Sequence, residues 1–508
     1  MKLALAQINT TVGDLEGNVN RVLDAARSVP EADLVIFPEL TVPGYPPRDI
    51  LYDATFIEAV GAATNDLVTR SKGLPPLLFG SLERSGIKLY EHPALYNTAF
   101  LVKNGKLQAA QFKQLLPVYD VFYEPRWFVP GERTLPPVEI VGKKLGVLIC
   151  EDMWDEEYPV HPGADLKAMG ADILVCISAS PYRKGAVANR LHHARRQGLP
   201  LVFVNSVGAN DELIFDGRSF VLEGERCRQF EEEVRKVTID DGRQTVVDGP
   251  SSMVEQEEVF HALVLGLRDF ARKNGLKKGV IGLSGGIDSA VAAVIAVEAL
   301  GASNVTAIAI PSRFTDPRST QTAREMAEAL DMPFEVVELE GMHLASEQSL
   351  GPERSAGVIG ENLQARLRMM VLMSFVNQGG GFLINTSNKT ELTVGYSTLY
   401  GDAAGAISPL GDLTKPEVYK LAHWINEKFD GVIPEFILTR KPSAELKDGQ
   451  VDPFDYDVIS PELEALVREN RSNASMRASE HKRWQTGLVL KVSEKAFGRG
   501  RMMPITRK

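Results

Sequence analysis

The chain has 508 residues, of which 44% are hydrophobic and 24% are charged, and its formal net charge is −11. This length predicts two or more domains, and the composition is typical of a globular protein with a large core. The negative net charge argues against nucleic acid as the main partner, because phosphate backbones are bound by basic surfaces. The longest apolar stretch, Ala290–Leu300, includes Glu298 and is too short to span a bilayer, so we expect no membrane partner.

The cysteines and the first residues bear on the cellular compartment. The three cysteines, Cys150, Cys176 and Cys227, are too few to form a disulfide framework in a chain of this length. The stretch Met1–Gln7 is short and runs into polar residues, which is unlike a signal peptide. We therefore expect a protein of the reducing cytoplasm.

One change of pattern divides the chain, in the turn-rich stretch between Val237 and Gln256. Short β-like runs precede it: Leu3–Ile8, Leu34–Phe37, Leu77–Gly80, Thr98–Val102, Leu145–Ile149, Ile173–Ile177 and Leu201–Val204. Strands and helices alternate after it, as in βαβ units around a parallel sheet: Val280–Leu283, a helix, Val305–Ile310, a helix near Ser319–Leu330, and Phe334–Glu338. The sequence therefore predicts two α/β domains, residues 1–245 and residues 258–508.

Three residues of the first domain stand beside apolar runs and have side chains that can do chemistry. Glu39 follows the strand-like run Leu34–Phe37, Lys113 lies between apolar neighbours, and Cys150 ends the run Leu145–Ile149. Each one taken alone is also explained as a loop charge, a solvated lysine or a small core residue. A thiol is mostly protonated at neutral pH, so a nucleophilic cysteine needs a base beside it.

Together, and in this order, these residues resemble the Glu–Lys–Cys triad of the nitrilase superfamily, over about residues 1–235. The resemblance implies that Glu39 takes the Cys150 proton and returns it to the leaving ammonia. It implies that Lys113 and the backbone N–H of Glu151 hold the oxyanion of the tetrahedral intermediate, while Glu124 orients the lysine. It also assigns glutamine contacts to Ser178 and Ser180, with Tyr119 and Trp154 lining the pocket. For Cys176 and Cys227 we expect core or surface positions.

The second domain begins with the run Gly279–Leu283, followed by a glycine turn and a helix-like segment. The turn reads Ser284, Gly285, Gly286, Ile287, Asp288 and Ser289. A strand, a tight turn and a helix N-terminus form an anion pocket, because unpaired backbone N–H groups and the helix dipole face the ligand. The Walker pattern is absent from the chain. The loop resembles instead the pyrophosphate loop of enzymes that split ATP into AMP and pyrophosphate.

Further polar residues follow along the second domain. Asn362 and Arg366 are four residues apart on a predicted helix, and a solvated helix face is the other explanation for them. Thr386 and Glu391 follow the strand-like run Gly381–Asn385. Glu391 and Asp288 are candidate Mg²⁺ ligands, since a hard cation prefers oxygen and bridges phosphates.

The segment Thr414–Glu417 fits a capping box with proline near the first turn of a helix. Lys415 would therefore lie at a helix N-terminus, where its ammonium group could neutralise phosphate charge. Asp402 lies in the segment Tyr400–Asp402, between this helix and the preceding strand.

These motifs resemble the NAD synthetase family from about Glu255 onward. The resemblance assigns ATP and metal positions to Ser284, Gly286, Asp288, Ser289, Arg313, Thr386 and Glu391. It assigns deamido-NAD contacts to Asn362, Arg366, Asp402, Glu391 and Ser443, and it places Lys415 between the two substrates. Ammonia-dependent relatives have an acidic residue where this chain has Ala406, which weakens the transfer of the nicotinate contacts.

The two resemblances imply a nitrilase-like α-β-β-α sandwich followed by a Rossmann-like parallel sheet of the adenine nucleotide alpha hydrolase type. They imply ATP-dependent amidation of deamido-NAD with ammonia from glutamine, with Mg²⁺ accompanying ATP and with a homo-oligomer formed through the second domain. Asparagine synthetase needs a cysteine after Met1, where Lys2 stands, and GMP synthetase uses a histidine that does not accompany Cys150. The remaining alternative is a nitrilase-type amide hydrolase whose second domain binds a nucleotide as a regulatory module.

Overall fold

A computed structural model describes residues 1–89, 92–239 and 253–498. The chain forms two compact units, Met1–Ser252 and Met253–Lys508. Most of the turn-rich stretch at which the sequence was divided, residues 240–252, lies outside the described residues. Within the part that is described, no helix has the length and apolar character needed to cross a membrane.

The first unit is built mainly from strands. Its strands are β1 (Lys2–Gln7), β2 (Leu34–Ile36), β3 (Leu77–Leu89), β4 (His92–Lys103), β5 (Lys106–Phe112), β6 (Val138–Ile140), β7 (Lys143–Ile149), β8 (Ile173–Ser178), β9 (Leu201–Asn205), β10 (Val207–Asn210), β11 (Leu213–Asp216), β12 (Phe220–Val221) and β13 (Glu233–Thr238). Its helices are α1 (Leu15–Arg27), α2 (Ala54–Arg70), α3 (Pro162–Ala168) and α4 (Ala186–Arg196), with short 3₁₀ turns at Arg48–Tyr52, Glu124–Arg126, Cys150–Met153 and Asp155–Glu157. Every strand that the sequence predicts here is confirmed.

Two sheets pack face to face in this unit. One has the order β13-β1-β2-β3-β4-β5 and the other the order β12-β9-β8-β7-β6. Buried aliphatic residues of β1 and β2 form one core with those of β7, β8 and β9. The opposite faces are covered by α1 and α2 on the first sheet and by α3 and α4 on the second. The result is the expected α-β-β-α sandwich, because each sheet alternates between a face toward the other sheet and a face toward helices.

The second unit contains the parallel sheet. Its strands are β14 (Gly279–Gly282), β15 (Val305–Ala309), β16 (Phe334–Val336), β17 (Phe382–Ile384), β18 (Ile407–Ser408) and β19 (Leu488–Val489). Its helices are α5 (Glu255–Lys273), α6 (Ile287–Leu300), α7 (Pro317–Ala329), α8 (Glu340–Leu350), α9 (Gly357–Gly379), α10 (Lys389–Val394), α11 (Lys415–Lys428), α12 (Glu435–Thr439), α13 (Tyr456–Arg468) and α14 (Ala474–Ser479), with 3₁₀ turns at Ala302–Asn304, Pro352–Arg354 and Glu480–Gln485.

The strand order β16-β15-β14-β17-β18-β19 places β14 in the interior, and all its pairings are parallel. The chain builds outward from β14 in one direction and then returns to its other side at β17. In α/β sheets, ligands bind at the carboxyl ends of strands where the order reverses in this way. The register aligns Gly282 with Ile308 and Ile281 with Ile384, so the loops after β14, β15 and β17 meet at one edge.

Candidate active sites

Cys150 stands directly after β7, at the start of the 3₁₀ turn Cys150–Met153. Ile149 pairs with Ile177 across the parallel strands β7 and β8, so Cys150 and Ser178 emerge side by side. The cysteine is 7% exposed, and its φ of +47° lies in the left-handed region. A residue with a Cβ adopts this conformation only where its surroundings hold it there.

Three other residues form a buried charge cluster in the same unit. The Nζ atom of Lys113 lies 2.8 Å from Oε1 of Glu39 and 2.8 Å from a carboxylate oxygen of Glu124. The side chains of Lys113 and Glu39 have no exposed surface. The Asn97 amide donates to Glu39 Oε1 at 2.7 Å, and the Tyr45 hydroxyl donates to Glu124 at 3.1 Å. The structure therefore brings the predicted glutamates and lysine into direct contact.

The charges of this cluster set its pKa values. Burial alone would lower the pKa of Lys113, but Glu124 and Glu39 together raise it well above its usual range. Burial, opposed by Lys113 and reinforced by the charge of Glu39, raises the pKa of Glu124 to about 7. Burial and then the charge of Glu39 also raise the pKa of the Cys150 thiol. Cys150 is thus a neutral thiol at rest, and it needs a base in order to react.

A second group of side chains surrounds the carboxylate of Glu151. The hydroxyl of Tyr119 donates to Glu151 at 3.0 Å and that of Tyr158 donates at 2.9 Å. Burial raises the pKa of Glu151, and the charge of Lys113 opposes the shift. The half-exposed ring of Tyr119 thereby borders a carboxylate one residue after the cysteine. A carboxylate in this position can bind an ammonium group.

The three other residues predicted to contact glutamine, Ser178, Ser180 and Trp154, lie in different surroundings. Ser178 is buried beside Cys150, and its nearby hydroxyl partly opposes the rise in the pKa of the thiol. Ser180 donates its N–H to Asn205 and is held by the buried Arg190. Trp154 packs against His193, in the apolar cluster between the second sheet and its helices. Its part in glutamine binding stays a prediction.

The predicted pyrophosphate loop of the second unit, Ser284–Ser289, has the conformation that its glycines allow. Gly285 has a φ of +76°, and a Cβ on it would overlap the backbone carbonyl of Ser319. The hydroxyls of Ser284 and Ser289 lie 3.1 Å apart, and Ser284 accepts the N–H of Gly286 at 3.2 Å. Helix α6 then starts at Ile287. The loop therefore presents backbone N–H groups and a helix N-terminus toward the carboxyl edge of the sheet.

Lys415 lies at the first position of α11, which the predicted capping box of Thr414 and Glu417 closes. Its ammonium group contacts Asp288 and lies 3.3 Å from Glu391. Burial raises the pKa of Glu391 to about 7, with Lys415 opposing the shift, whereas these carboxylates raise the pKa of Lys415 against the effect of burial. The three side chains and the pyrophosphate loop line one polar cavity of about 170 Å³.

A larger cavity of about 550 Å³ adjoins the same strand ends. Its lining includes apolar residues at or just after the ends of β14, β15 and β17 and on α9: Leu283, Ile308, Ile310, Met369, Leu372 and Leu383. Polar residues also line it, among them Asn362, Thr386, Asp402 and Arg368. An apolar cavity with a few polar groups suits a flat organic base carrying a polar chain.

Arg368 is a residue that motif reading missed. Burial lowers its pKa to about 10, so it is still a cation at neutral pH. Its Nε donates to the carbonyl of Ile310 at 3.1 Å, and no carboxylate lies within salt-bridge distance of it among the described residues. The sequence offered one indication of this residue: Arg368 lies two positions after the predicted ligand contact Arg366, on the same predicted helix.

The structure separates the other predicted residues into two groups. Asn362 accepts from Thr398 at 2.7 Å, Asp402 accepts the N–H of Thr398, and both line the large cavity. Ser443 lines the polar cavity. Arg366 is exposed and donates to the carbonyl of Leu399, outside the lining of either cavity.

Arg313 is likewise exposed and outside both linings. It forms ion pairs with Glu340 and Glu347 of α8, at 3.0 Å and 3.1 Å. Ala406 occupies an exposed position whose N–H donates to Leu383. The ligand contacts assigned to Arg313 and Arg366 stay predictions.

The residues predicted to bind magnesium fit a hard cation only in part. Asp288 and Glu391 offer carboxylate oxygens to one cavity, and both of them contact the same ammonium group. No cluster of three or more His, Cys, Asp or Glu side chains suited to a metal occurs in residues 1–89, 92–239 and 253–498. Magnesium would therefore take its other ligands from phosphate oxygens and water, as it commonly does.

Comparison with known proteins assigns each unit to a family. The carbon-nitrogen hydrolase family matches residues 2–244, and the NAD synthase family matches residues 259–496. The glutamine-dependent NAD(+) synthetase of Synechocystis is 38% identical over 99% of this chain and 98% of its own length. That of Thermotoga maritima is 34% identical over 100% and 99%.

Solved structures agree along the whole chain. The glutamine-dependent NAD+ synthetase of Acinetobacter baumannii, in complex with ADP, superimposes with a TM-score of 0.80 at 32% identity, covering 99% of this chain and 98% of its own. The enzyme of Cytophaga hutchinsonii shares the fold, with a TM-score of 0.78 at 20% identity over 99% and 97%. These relatives match the chain over its full length, and the chain belongs to the glutamine-dependent NAD(+) synthetase family.

Proposed function

We propose that the chain amidates deamido-NAD to NAD in an ATP-dependent reaction, through an adenylated intermediate, with ammonia released from glutamine. The observation that supports this most directly is the presence of two different lysine–carboxylate sites on one chain. The first lies beside a buried cysteine, and the second lies beside a pyrophosphate-type loop. The first is suited to acyl transfer and the second to phosphate chemistry.

In the first site Glu39 removes the proton of Cys150 as the sulfur attacks the side-chain amide carbon of glutamine. Lys113 stabilises the oxyanion of the tetrahedral intermediate, because its ammonium group is held in place by Glu39 and Glu124. Glu39 then gives the proton to the departing nitrogen, which leaves as ammonia. Water attacks the thioester, releases glutamate and returns the proton to the sulfur. Glu151, bordered by Tyr119, is placed to bind the α-ammonium group of glutamine.

In the second site the nicotinic carboxylate of deamido-NAD attacks the α-phosphate of ATP, and pyrophosphate leaves. Lys415 and the N–H groups of the loop Ser284–Ser289 bind the departing phosphates. Magnesium held by Asp288 and Glu391 would neutralise phosphate charge. Ammonia then attacks the activated carboxyl carbon and displaces AMP, which yields the amide. The large cavity is suited to the adenine ring, and Arg368 is placed to contact an anionic group of a bound nucleotide.

The proposal names small molecules as partners: deamido-NAD, ATP and glutamine, with magnesium accompanying ATP. It also includes a homo-oligomer formed through the second unit. Four apolar side chains of α9 support this, since they are more than a third exposed: Val358, Ile359, Met370 and Met373. Light scattering of the purified chain would test it, and a monomer at micromolar concentration would contradict it.

The decisive experiment compares the wild-type chain with Cys150→Ala. The wild type should form NAD and AMP from deamido-NAD and ATP with either glutamine or ammonium as nitrogen donor. Cys150→Ala should lose the reaction with glutamine and keep the reaction with ammonium. Absence of AMP in every arm would reject the synthetase and leave an amide hydrolase with a regulatory second unit.

A further inference from the structure

Asp152, two residues after Cys150, is a buried carboxylate to which the mechanism above assigns no role. It has no exposed surface, and its two oxygens accept three backbone N–H groups. Oδ1 accepts from Gln114 and from Leu115, each at 2.9 Å. Oδ2 accepts from Ile149 at 3.1 Å. All three bonds are to main chain, so substitutions of the partner side chains would leave them in place.

The three N–H groups belong to the two segments that supply the chemistry. Gln114 and Leu115 directly follow Lys113, whereas Ile149 directly precedes Cys150. Lys113 is itself fixed on its other side, since its N–H donates to the carbonyl of Asn97 at 2.9 Å. The Asp152 carboxylate thus connects the main chain next to Lys113 with the main chain next to Cys150, and we call these three hydrogen bonds the tie. Cys150, with its φ of +47°, lies between Ile149 and Asp152, the two residues that form one of these bonds.

We propose that Asp152 is a positioning residue for glutamine hydrolysis: its carboxylate fixes the separation between the Lys113 ammonium group and the Cys150 sulfur. This inference rests on the proposed function. Oxyanion stabilisation depends on this separation, because a displacement of about 1 Å between reacting groups can cost about a hundredfold in rate. Loss of the tie should therefore affect the step in which the oxyanion forms more than the binding of glutamine.

Only an ionised aspartate can accept hydrogen bonds with both oxygens and donate none. Burial raises the pKa of Asp152 to about 7, and the N–H groups of Leu115, Ile149 and Gln114 oppose the shift. Asp152→Asn keeps the size of the side chain but replaces one acceptor oxygen with an NH₂ donor. That donor must face either the Ile149 N–H or the pair from Gln114 and Leu115, so one half of the tie is lost.

The test compares Asp152→Asn with the wild type and with Asp172→Asn. Asp172 is an exposed carboxylate that accepts the N–H of Lys144 at the opposite end of β7, at 2.8 Å, and it serves as the matched control. We expect kcat for glutamine hydrolysis to fall by about ten- to a hundredfold in Asp152→Asn, with KM within about twofold of wild type. Alkylation of Cys150 by iodoacetamide needs the thiol and its base but no oxyanion stabilisation, so its rate should change by less than about twofold. Asp172→Asn should match the wild type in every measurement.

A wild-type kcat in Asp152→Asn would overturn the inference, and so would an equal fall in kcat and alkylation rate, which would indicate general damage to the unit. If Asp152→Asn does not fold, Asp152→Ser replaces it, since the single oxygen of a serine hydroxyl has two lone pairs and cannot accept from all three N–H groups. It should show the same fall in kcat at constant alkylation rate. A wild-type chain that releases no glutamate from glutamine would reject the proposed function itself, and the inference with it.

Discussion

Lys113 and Glu39 form a salt bridge of 2.8 Å in which neither side chain has any exposed surface. The same oxygen of Glu39 accepts from Asn97, and its other oxygen accepts the N–H of Ala179 at 3.0 Å. The carboxylate is therefore held by three donors and still has lone pairs available, because an ionised carboxylate can accept about four hydrogen bonds. These donors hold the Glu39 carboxylate in one position. From that position it can act as the general base that takes the proton of the neutral Cys150 thiol.

Replacing Glu39 with glutamine tests that role. Glu39→Gln keeps the shape but cannot take the proton of Cys150, whose pKa is raised by burial and by the charge of Glu39. We expect glutamine hydrolysis to fall by about a hundredfold to ten-thousandfold, as is usual when a general base is lost. NAD formation with ammonium should be unchanged. Glu58→Gln, at an exposed position, is the control, and an unaltered rate of glutamate release in Glu39→Gln would exclude this base.

The pH dependence of glutamine hydrolysis should follow Glu124, whose pKa burial raises to about 7. Above that pH the glutamate is charged and holds the ammonium group of Lys113 together with Glu39. As the pH falls through about 7 it binds a proton, the hold on Lys113 weakens and kcat should fall. Asp152, whose pKa burial also raises to about 7, titrates in the same range, so in Glu124→Gln the acid limb should become shallower and lead to a lower plateau. An acid limb of unchanged steepness in Glu124→Gln, or a shallower one in the exposed control Glu132→Gln, would contradict the assignment.

The sequence was a good guide to this first site because its signals are local. About ten residues of sequence are enough to show an apolar, strand-like run that ends just before Glu39, or just before Cys150. Tyr45, Asn97 and Asp152 were not predicted as partners, since they meet their partners across 79, 58 and 37–38 residues. Side-chain contacts at such separations depend on strand order and register, which a single sequence does not specify.

Lys415 should be needed for the synthetase reaction with either nitrogen donor. Lys415→Met removes the ammonium group that contacts Asp288 and Glu391 and that is placed beside the pyrophosphate loop. We expect NAD formation to fall by about a hundredfold to a thousandfold, the usual effect of losing one preorganised electrostatic group. Glutamate release in the first unit should continue, and thermal unfolding would monitor the fold. Lys420→Met, on the exposed side of the same helix, should behave as wild type, and normal NAD formation by Lys415→Met would reject the role.

Two arginines near the second site should differ in their effects. Arg368 lines the large cavity and has no carboxylate partner among the described residues, whereas Arg313 is paired with Glu340 and Glu347. We expect Arg368→Met to raise KM for ATP or deamido-NAD by at least about tenfold, because one charge-assisted hydrogen bond contributes about 1.5–3 kcal/mol. Arg313→Met should change both KM values by less than about threefold. The opposite ranking would show that Arg313 leaves its ion pairs when a nucleotide binds.

Two neighbouring glycines of the pyrophosphate loop provide a matched pair. Gly285→Ala places a methyl group against the carbonyl of Ser319 at a φ of +76°, so the loop must shift. Gly286→Ala meets only the hydroxyl of Ser284, at 3.3 Å. ATP-dependent AMP formation should therefore be lost in Gly285→Ala and largely kept in Gly286→Ala. Equal activity of the two variants would show that the loop does not need its left-handed residue.

In the second unit the sequence was reliable for elements and less so for the direction of side chains. The capping box at Thr414 correctly placed Lys415 at the start of α11, because capping is a local interaction. Asn362 and Arg366 were predicted to share one face of a helix, yet only Asn362 lines a cavity while Arg366 is exposed. The rotation of this helix, which turns Asn362 toward the cavity and leaves Arg366 exposed, is set by its packing against β14 and β17. The sequence pattern of this helix alone does not define that rotation.

Both sites place one lysine between two carboxylates, and in both burial raises the pKa of a glutamate, Glu124 or Glu391, from 4.5 to about 7. Between these two pH values the folded chain binds more protons than the unfolded chain, so the contribution of each glutamate to stability is lost as the pH rises through about 7. The chemistry requires both glutamates in their charged form, and in the folded chain this form is less stable than the protonated form at pH values below about 7. Between pH 4.5 and about 7, a rise in pH should therefore favour the reactive form of both sites while it lowers the stability that these two glutamates contribute.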